Sequence, residues 1–120
     1  MKSIRFIITA VIAVISGAFT LAQTNDHAQK TSAKTETYQV WGSCDMCKTR
    51  IEKAAKIDGV NKAEWNQDTQ VLTLVYNPSV VKSDDILLKV AEVGHDNEKF
   101  KASDKVYKSL PDCCQYERKK

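Results

Sequence analysis

Between residues 35 and 102 the spacing of apolar residues alternates between a period of two and a helical period, and the order of those changes restricts the folds open to the chain. Residues 37–41 (Thr-Tyr-Gln-Val-Trp) alternate as a strand does, with Tyr38 and Val40 on one face. Cys47, Ile51, Ala54 and Ala55 then recur at helical spacing, up to an Asp58-Gly59 stop. Residues 60–66 form a second strand with Ala63 and Trp65 on one face. A polar turn leads to a third at 71–76, where Leu72, Leu74 and Tyr76 share a side. Asn77-Pro78 ends it, because proline removes a ladder donor. Ile86, Leu87, Val90, Ala91 and Val93 mark a second helix, closed by Gly94, and residues 95–102 read as a fourth strand anchored by Phe100. Ser43 and Ser83 are candidate N-caps, and Asp84 and Asp85 suit the dipole of the second helix. The order β-α-β-β-α-β specifies an α+β, ferredoxin-like sandwich, a four-stranded antiparallel sheet with two helices on one face.

The ends of the chain read differently. Residues 1–22 combine a basic start (Lys2, Arg5), an apolar run from Phe6 to Phe19, and small residues at a cleavage position after Ala22. This is the pattern of a secretory signal peptide. The apolar run falls short of the ~20 residues that cross a bilayer, so no membrane insertion is expected after cleavage. Residues 23–34 are a polar linker, and its His27 reads as solvated. Cleavage removes Lys2 and Arg5 and no acid, so the net charge falls from +3 to +1. A near-neutral chain gives no reason to expect a nucleic-acid partner. The expected location is outside the cytosol, in the periplasm, where thiols tend toward disulfides. Residues 103–120 form a C-terminal tail, its closing Lys119-Lys120 solvated.

The chemistry centres on Cys44 and Cys47, two residues apart where a loop enters the first helix. Two thiols so placed can grip one soft ion. Sulfur donors select Cu(I), zinc and similar thiophilic ions over magnesium or calcium. The helix N-terminus, Lys48 and Arg50 favour the thiolate, and Asp45 opposes them. An open two-sulfur site releases its ion more readily than a closed four-ligand site, which suits a carrier.

These residues resemble the heavy-metal-associated domain family. The element order, the Cys-x-x-Cys at the first loop, and the Ile51-Glu52-Lys53-Ala54-Ala55 helix carry the likeness over residues 35–102. The family includes copper chaperones, soluble domains of metal-pumping ATPases and the periplasmic mercury-binding protein. The resemblance implies that Cys44 and Cys47 are metal ligands. Two departures stand out. Gly42-Ser43-Cys44 lacks the methionine usual in this loop, and Trp41 is expected to supply its bulk. His95 stands where bacterial members often carry tyrosine after Gly94, at a turn that approaches the loop in the family fold. That makes it a candidate third ligand or a modulating charge.

Cys113 and Cys114 form a second pair, in Leu110-Pro111-Asp112-Cys113-Cys114-Gln115-Tyr116. Such a run looks like a tail found in a subgroup of exported members. Three readings are open: the tail folds back onto the Cys44/Cys47 ion, the pair forms a disulfide, or it holds a second metal site. Val106, Tyr107 and Leu110 are spaced for an amphipathic turn that could dock. Four sulfurs on one ion would favour zinc.

The expected function is that of an exported metallochaperone or scavenger. Its cargo is Cu(I), with Hg(II) and Zn(II) as alternatives, and its partner is a metal-transporting membrane protein with its own Cys pair. A thiol-disulfide oxidoreductase is the rival of another class, since Cys-x-x-Cys at a helix start fits it too. A domain whose cysteines only form bridges is the third. No Ser-His-Asp set, carboxylate pair or phosphate loop supports hydrolase or kinase chemistry, and the chain is expected not to be an enzyme.

Overall fold

A computed structural model describes residues 32–120. The signal peptide expected at 1–22, His27 and most of the expected linker lie outside the described residues. Strand β1 (Lys34–Gln39) leads through a loop to helix α1 (Asp45–Ala55), followed by β2 (Val60–Asn66), β3 (Val71–Tyr76) and α2 (Ser83–Glu92). A short helix α3 (Asp104–Lys108) and a 3-10 turn (Asp112–Cys114) complete the order.

Both sheet pairings are antiparallel, with β3 in the centre: β1 pairs Tyr38 with Leu72, and β2 pairs Trp65 with Leu72. Leu72, Leu74 and Tyr76 alternate with half-exposed neighbours, so one face of the sheet is buried. Against it pack Cys47, Ile51 and Ala55 of α1 and Ile86, Leu87 and Val90 of α2, all within one apolar core. The β2–β3 turn is closed by Asn66, whose Oδ1 accepts from the backbone of Asp68 and Thr69 at 2.9 and 3.0 Å. Such a side-chain bond two residues ahead is why asparagine favours turns. Helix α2 is closed by the turn at Gly94, at φ +106°. Its N–H donates to Ala91 while His95 N–H reaches back to Val90. That left-handed residue, cheap only for glycine, turns the chain toward the site.

Residues 95–102 correct the sequence reading. They form no strand among the described residues, and the sheet has three strands, where four were expected. The segment touches the sheet through a single bridge, Val40 with Asn97, flanked by Trp41 N–H to Asp96 O and Glu98 N–H to Gln39 O. Side chains divert the rest of its backbone. Asn97 Oδ1 accepts from Lys99 and Phe100, Asn97 N–H donates to Phe100 O, and Asp96 Oδ1 accepts from Ala102. Short polar side chains that bond nearby amides compete with a ladder, and here they prevail. The helix caps also differ from expectation. Cys44 and Lys82 occupy the N-cap positions, and Ser83 is the first residue of α2.

Candidate metal site

The loop at 40–44 is shaped by its neighbours. Trp65 is fully buried beneath it and donates its indole N–H to Val40 O at 3.0 Å. A Cβ on Gly42 would lie 2.9 Å from that ring and 3.0 Å from Cys47 Cβ, so only glycine lets the loop lie this close. Trp65, not Trp41, fills the space under the loop. Trp41 is half-buried, with Lys119 Nζ 5.0 Å over its ring, so Lys119 is engaged and not simply solvated. The β2–β3 turn braces the loop from the side. Gln70 donates to Gly42 O at 2.7 Å and accepts from Gly42 N at 3.0 Å, and Gln67 donates to Ser43 O.

Cys44 caps α1, and Cys47 lies one turn in, facing the core. Their sulfurs are 3.4 Å apart. The tail folds back over them. Cys114 is fully buried, with its sulfur 3.4 Å from that of Cys44. The sulfurs of Cys44, Cys47 and Cys114 all lie within 4.8 Å of one another, and all four cysteines are free thiols. Cys113 is exposed and outside this group. Its sulfur is 3.9 Å from Cys114 Sγ and 3.5 Å from Met46 Sδ. Of the three readings of the tail, the fold-back is the one the geometry matches.

What holds the tail is a polar lock that the sequence reading missed. Tyr116 is buried; its hydroxyl donates to Gly94 O at 2.8 Å and accepts from Asp96 N at 2.7 Å. Arg118 forks onto Asp96 through two bonds of 2.8 Å and also reaches Asp104 and Ala102 O. Bidentate pairing of this kind gives direction as well as attraction. Ser43 Oγ donates to Cys113 O, which ties the loop directly to the tail and leaves Ser43 uninvolved in helix capping. Tyr107, from the expected docking turn, donates to Tyr116 O and packs edge-on against its ring.

His95 lies beneath this lock. It is fully buried, its Nδ1 is 2.9 Å from Trp41 O, and its ring stacks on Tyr116. A carbonyl can only accept, so Nδ1 carries the proton. Nε2 has no partner among the described residues. The imidazole stands outside the three-sulfur group and joins Trp41 of the loop to Tyr116, two residues beyond Cys114. Burial holds its pKa below the usual histidine value, opposed by the Trp41 carbonyl and aided by Arg50.

The sulfurs differ in acidity. Burial pushes the Cys44 thiol up, but the Cys47 backbone amide and the thiols of Cys114, Cys47 and Cys113 outweigh it and bring Cys44 down to about 7. Burial raises Cys114 well above the ordinary thiol value, and hydrogen bonds given to Cys47 and Cys44 raise it further. Cys44 thus ionises before Cys114, which donates toward it. A positive ion among the three would favour the thiolate form of each by drawing off the remaining protons. Of the expected positive neighbours, Lys48 is held by Glu52 and by Trp65 O at 2.8 Å.

A compact α+β domain with three converging free thiols at a loop-helix junction is a soft-metal-binding domain. No family model matches the chain. Comparison with known proteins is more specific. The chain is 36% identical over 55 residues to the copper chaperone CopZ of Staphylococcus epidermidis, covering 45% of this chain and 81% of that one. It is 38% identical over 55 residues to a copper-exporting P-type ATPase of Staphylococcus saprophyticus, where the match covers 45% of this chain but spans only 7% of the ATPase. Among solved structures, a CopZ metallochaperone superposes with a TM-score of 0.52 at 30% identity, over 53% of this chain and 98% of the other. The chain belongs to the heavy-metal-associated domain family. Its relatives are metal carriers and metal-binding domains, and it is one of these and not an enzyme.

Proposed function

We propose that the protein is an exported Cu(I) carrier, holding its ion between Cys44, Cys47 and Cys114 and passing it on by thiolate exchange. The observation that carries this reading is the convergence of three free thiols within 4.8 Å. Copper chaperones and a copper-exporting ATPase among the relatives support the choice of metal. So does the geometry. A trigonal ion with metal–sulfur bonds of about 2.3 Å needs corners about 4 Å apart. Cys44 lies 3.4 Å from each of its two partners, so small outward movements suffice. Hg(II) favours two sulfurs in line, and the third thiol crowds that arrangement. Zinc favours four ligands, and Cys113 is turned away toward Met46.

Cys44 is the half-exposed member of the three and Cys47 and Cys114 are buried, so exchange begins at Cys44. A partner thiolate joins the ion there, Cys114 detaches, and the remaining sulfurs are replaced in turn. The partner is a metal-transporting membrane protein with its own Cys pair, met in the periplasm. His95 acts as a strut between loop and tail. Thiol-disulfide chemistry is the weaker reading, because the relatives are carriers.

Competition between the reduced protein and a Cu(I) chelator tests the proposal. Cys44→Ser or Cys47→Ser lowers affinity by several orders of magnitude. Cys114→Ser lowers it less and takes the sulfur coordination number from three to two by X-ray absorption. Affinity unchanged in Cys44→Ser and Cys47→Ser would sink the assignment.

A further inference from the structure

The sulfur atoms continue past the three-thiol group. From the exposed end they run Met46 Sδ to Cys113 Sγ at 3.5 Å, Cys113 to buried Cys114 at 3.9 Å, Cys114 to half-buried Cys44 at 3.4 Å, and Cys44 to buried Cys47 at 3.4 Å. Five sulfurs form an unbroken chain from surface to core. The outer end is built from two elements distant in sequence. Met46 is the second residue of α1, between the two loop cysteines, and Cys113 is in the 3-10 turn of the folded-back tail. Met46 is 52% exposed, an unusual place for a flexible apolar side chain, and Cys113 is exposed beside it. Ser43, bound to the carbonyl of Cys113, and Tyr116, bound to Gly94 O, help hold the turn where this contact forms.

We infer that Met46 and Cys113 form a second, outer Cu(I) site, so that the chain holds two ions, one in the three-thiol group and one at the surface. The inference rests on the copper reading above and extends it. Binding at the outer site displaces the proton of the Cys113 thiol to solvent and forms one copper–thiolate and one copper–thioether bond. Copper stays Cu(I) and no electron moves. The thioether distinguishes metals. It is soft and uncharged and suits Cu(I), whereas zinc draws its ligands from thiolate, imidazole and carboxylate. With one charged donor in place of two or three, and with solvent access, the outer ion is held more weakly. Cys114 Sγ stands 3.9 Å behind Cys113 Sγ, so an ion arriving at the outer pair can move inward without losing contact with sulfur.

The test is anaerobic titration of Cu(I) into the reduced full chain against a chromophoric chelator. Two equivalents are expected, the second at least tenfold weaker than the first. Met46→Leu and Cys113→Ser, both changes of exposed side chains, each lose the second equivalent and keep the first. A single equivalent in the unsubstituted chain, or a second equivalent that survives in either variant, overturns the proposal. Failure of the first, tight equivalent, checked with Cys44→Ser, overturns the copper reading of the inner group instead. Zinc titrated in parallel gives the same stoichiometry with and without Met46→Leu; a loss of zinc in that variant would overturn the thioether's selectivity for copper.

Discussion

The ring of Tyr116 lies against the imidazole of His95, with centroids 5.5 Å apart and planes inclined by 23°. This stack joins the end of the tail to the turn after α2, and through His95 to the carbonyl of Trp41 at the foot of the metal loop. It explains how cysteines about seventy positions apart come to share one group.

Tyr116→Phe keeps the stack and removes the hydroxyl. Gly94 O and Asp96 N, both buried, then lose a partner. The expected cost is about 1–3 kcal/mol. Denaturant unfolding measures that loss. Faster alkylation of Cys114 in the folded protein measures release of the tail, and an unchanged rate would show that Tyr116 does not hold Cys114 in place.

Gly42→Ala pushes a methyl group into the Trp65 ring and Cys47 Cβ. Overpacking of this kind costs about 1–3 kcal/mol. Because the same methyl shifts the loop that carries Cys44, Cu(I) affinity is expected to fall as well. Wild-type stability in the variant would mean that the loop has more room than its contacts indicate.

Cys44, brought down to about 7 by the amide and thiols around it, is expected to react faster than Cys114 in the metal-free protein. Its alkylation rate should rise with pH through about 7 and level off above. Residue-resolved mass spectrometry follows each cysteine separately, and Cys114 should lag at every pH. Equal rates for the two would contradict the hydrogen-bond direction described here.

Glu36 accepts hydrogen bonds from Lys34, Tyr38 and Tyr76, and these hold its carboxyl at about 2, below the usual 4.5. A depressed folded-state value means stabilisation that is complete above the unfolded value and lost as pH falls through the folded one. The stability of the native chain should therefore decline between about pH 4.5 and pH 2, and Glu36→Gln should flatten that limb. Unfolding midpoints measured across this range decide it.

Much of this was legible before any coordinates. The alternation of Leu72, Leu74 and Tyr76, the helical spacing of Cys47, Ile51 and Ala55, and the stop at Gly94 are local signals, and local sterics and burial settle them. The closeness of the Cys44 and Cys47 sulfurs follows from their spacing at a helix start. The expected fourth strand does not form because residues 95–102 offer little apolar alternation beyond Phe100, while Asp96 and Asn97 bind nearby amides. That competition depends on side-chain geometry, not on period. Trp65 takes the place expected of Trp41 for a related reason. Both are large enough to fill the space, and only strand register puts Trp65 beneath Gly42.

The sequence alone determined the order of the first five elements, the Cys-x-x-Cys junction and the soft character of its donors, since these depend on neighbours a few residues apart. Tertiary structure decided which of the distant thiols joins them. Cys113 and Cys114 are adjacent in the chain and chemically the same, yet one is buried beside Cys44 and the other faces Met46. The difference comes from Tyr116, Arg118 and Ser43 fixing one rotation of the tail, through contacts that span up to seventy residues and leave no periodic trace in the chain.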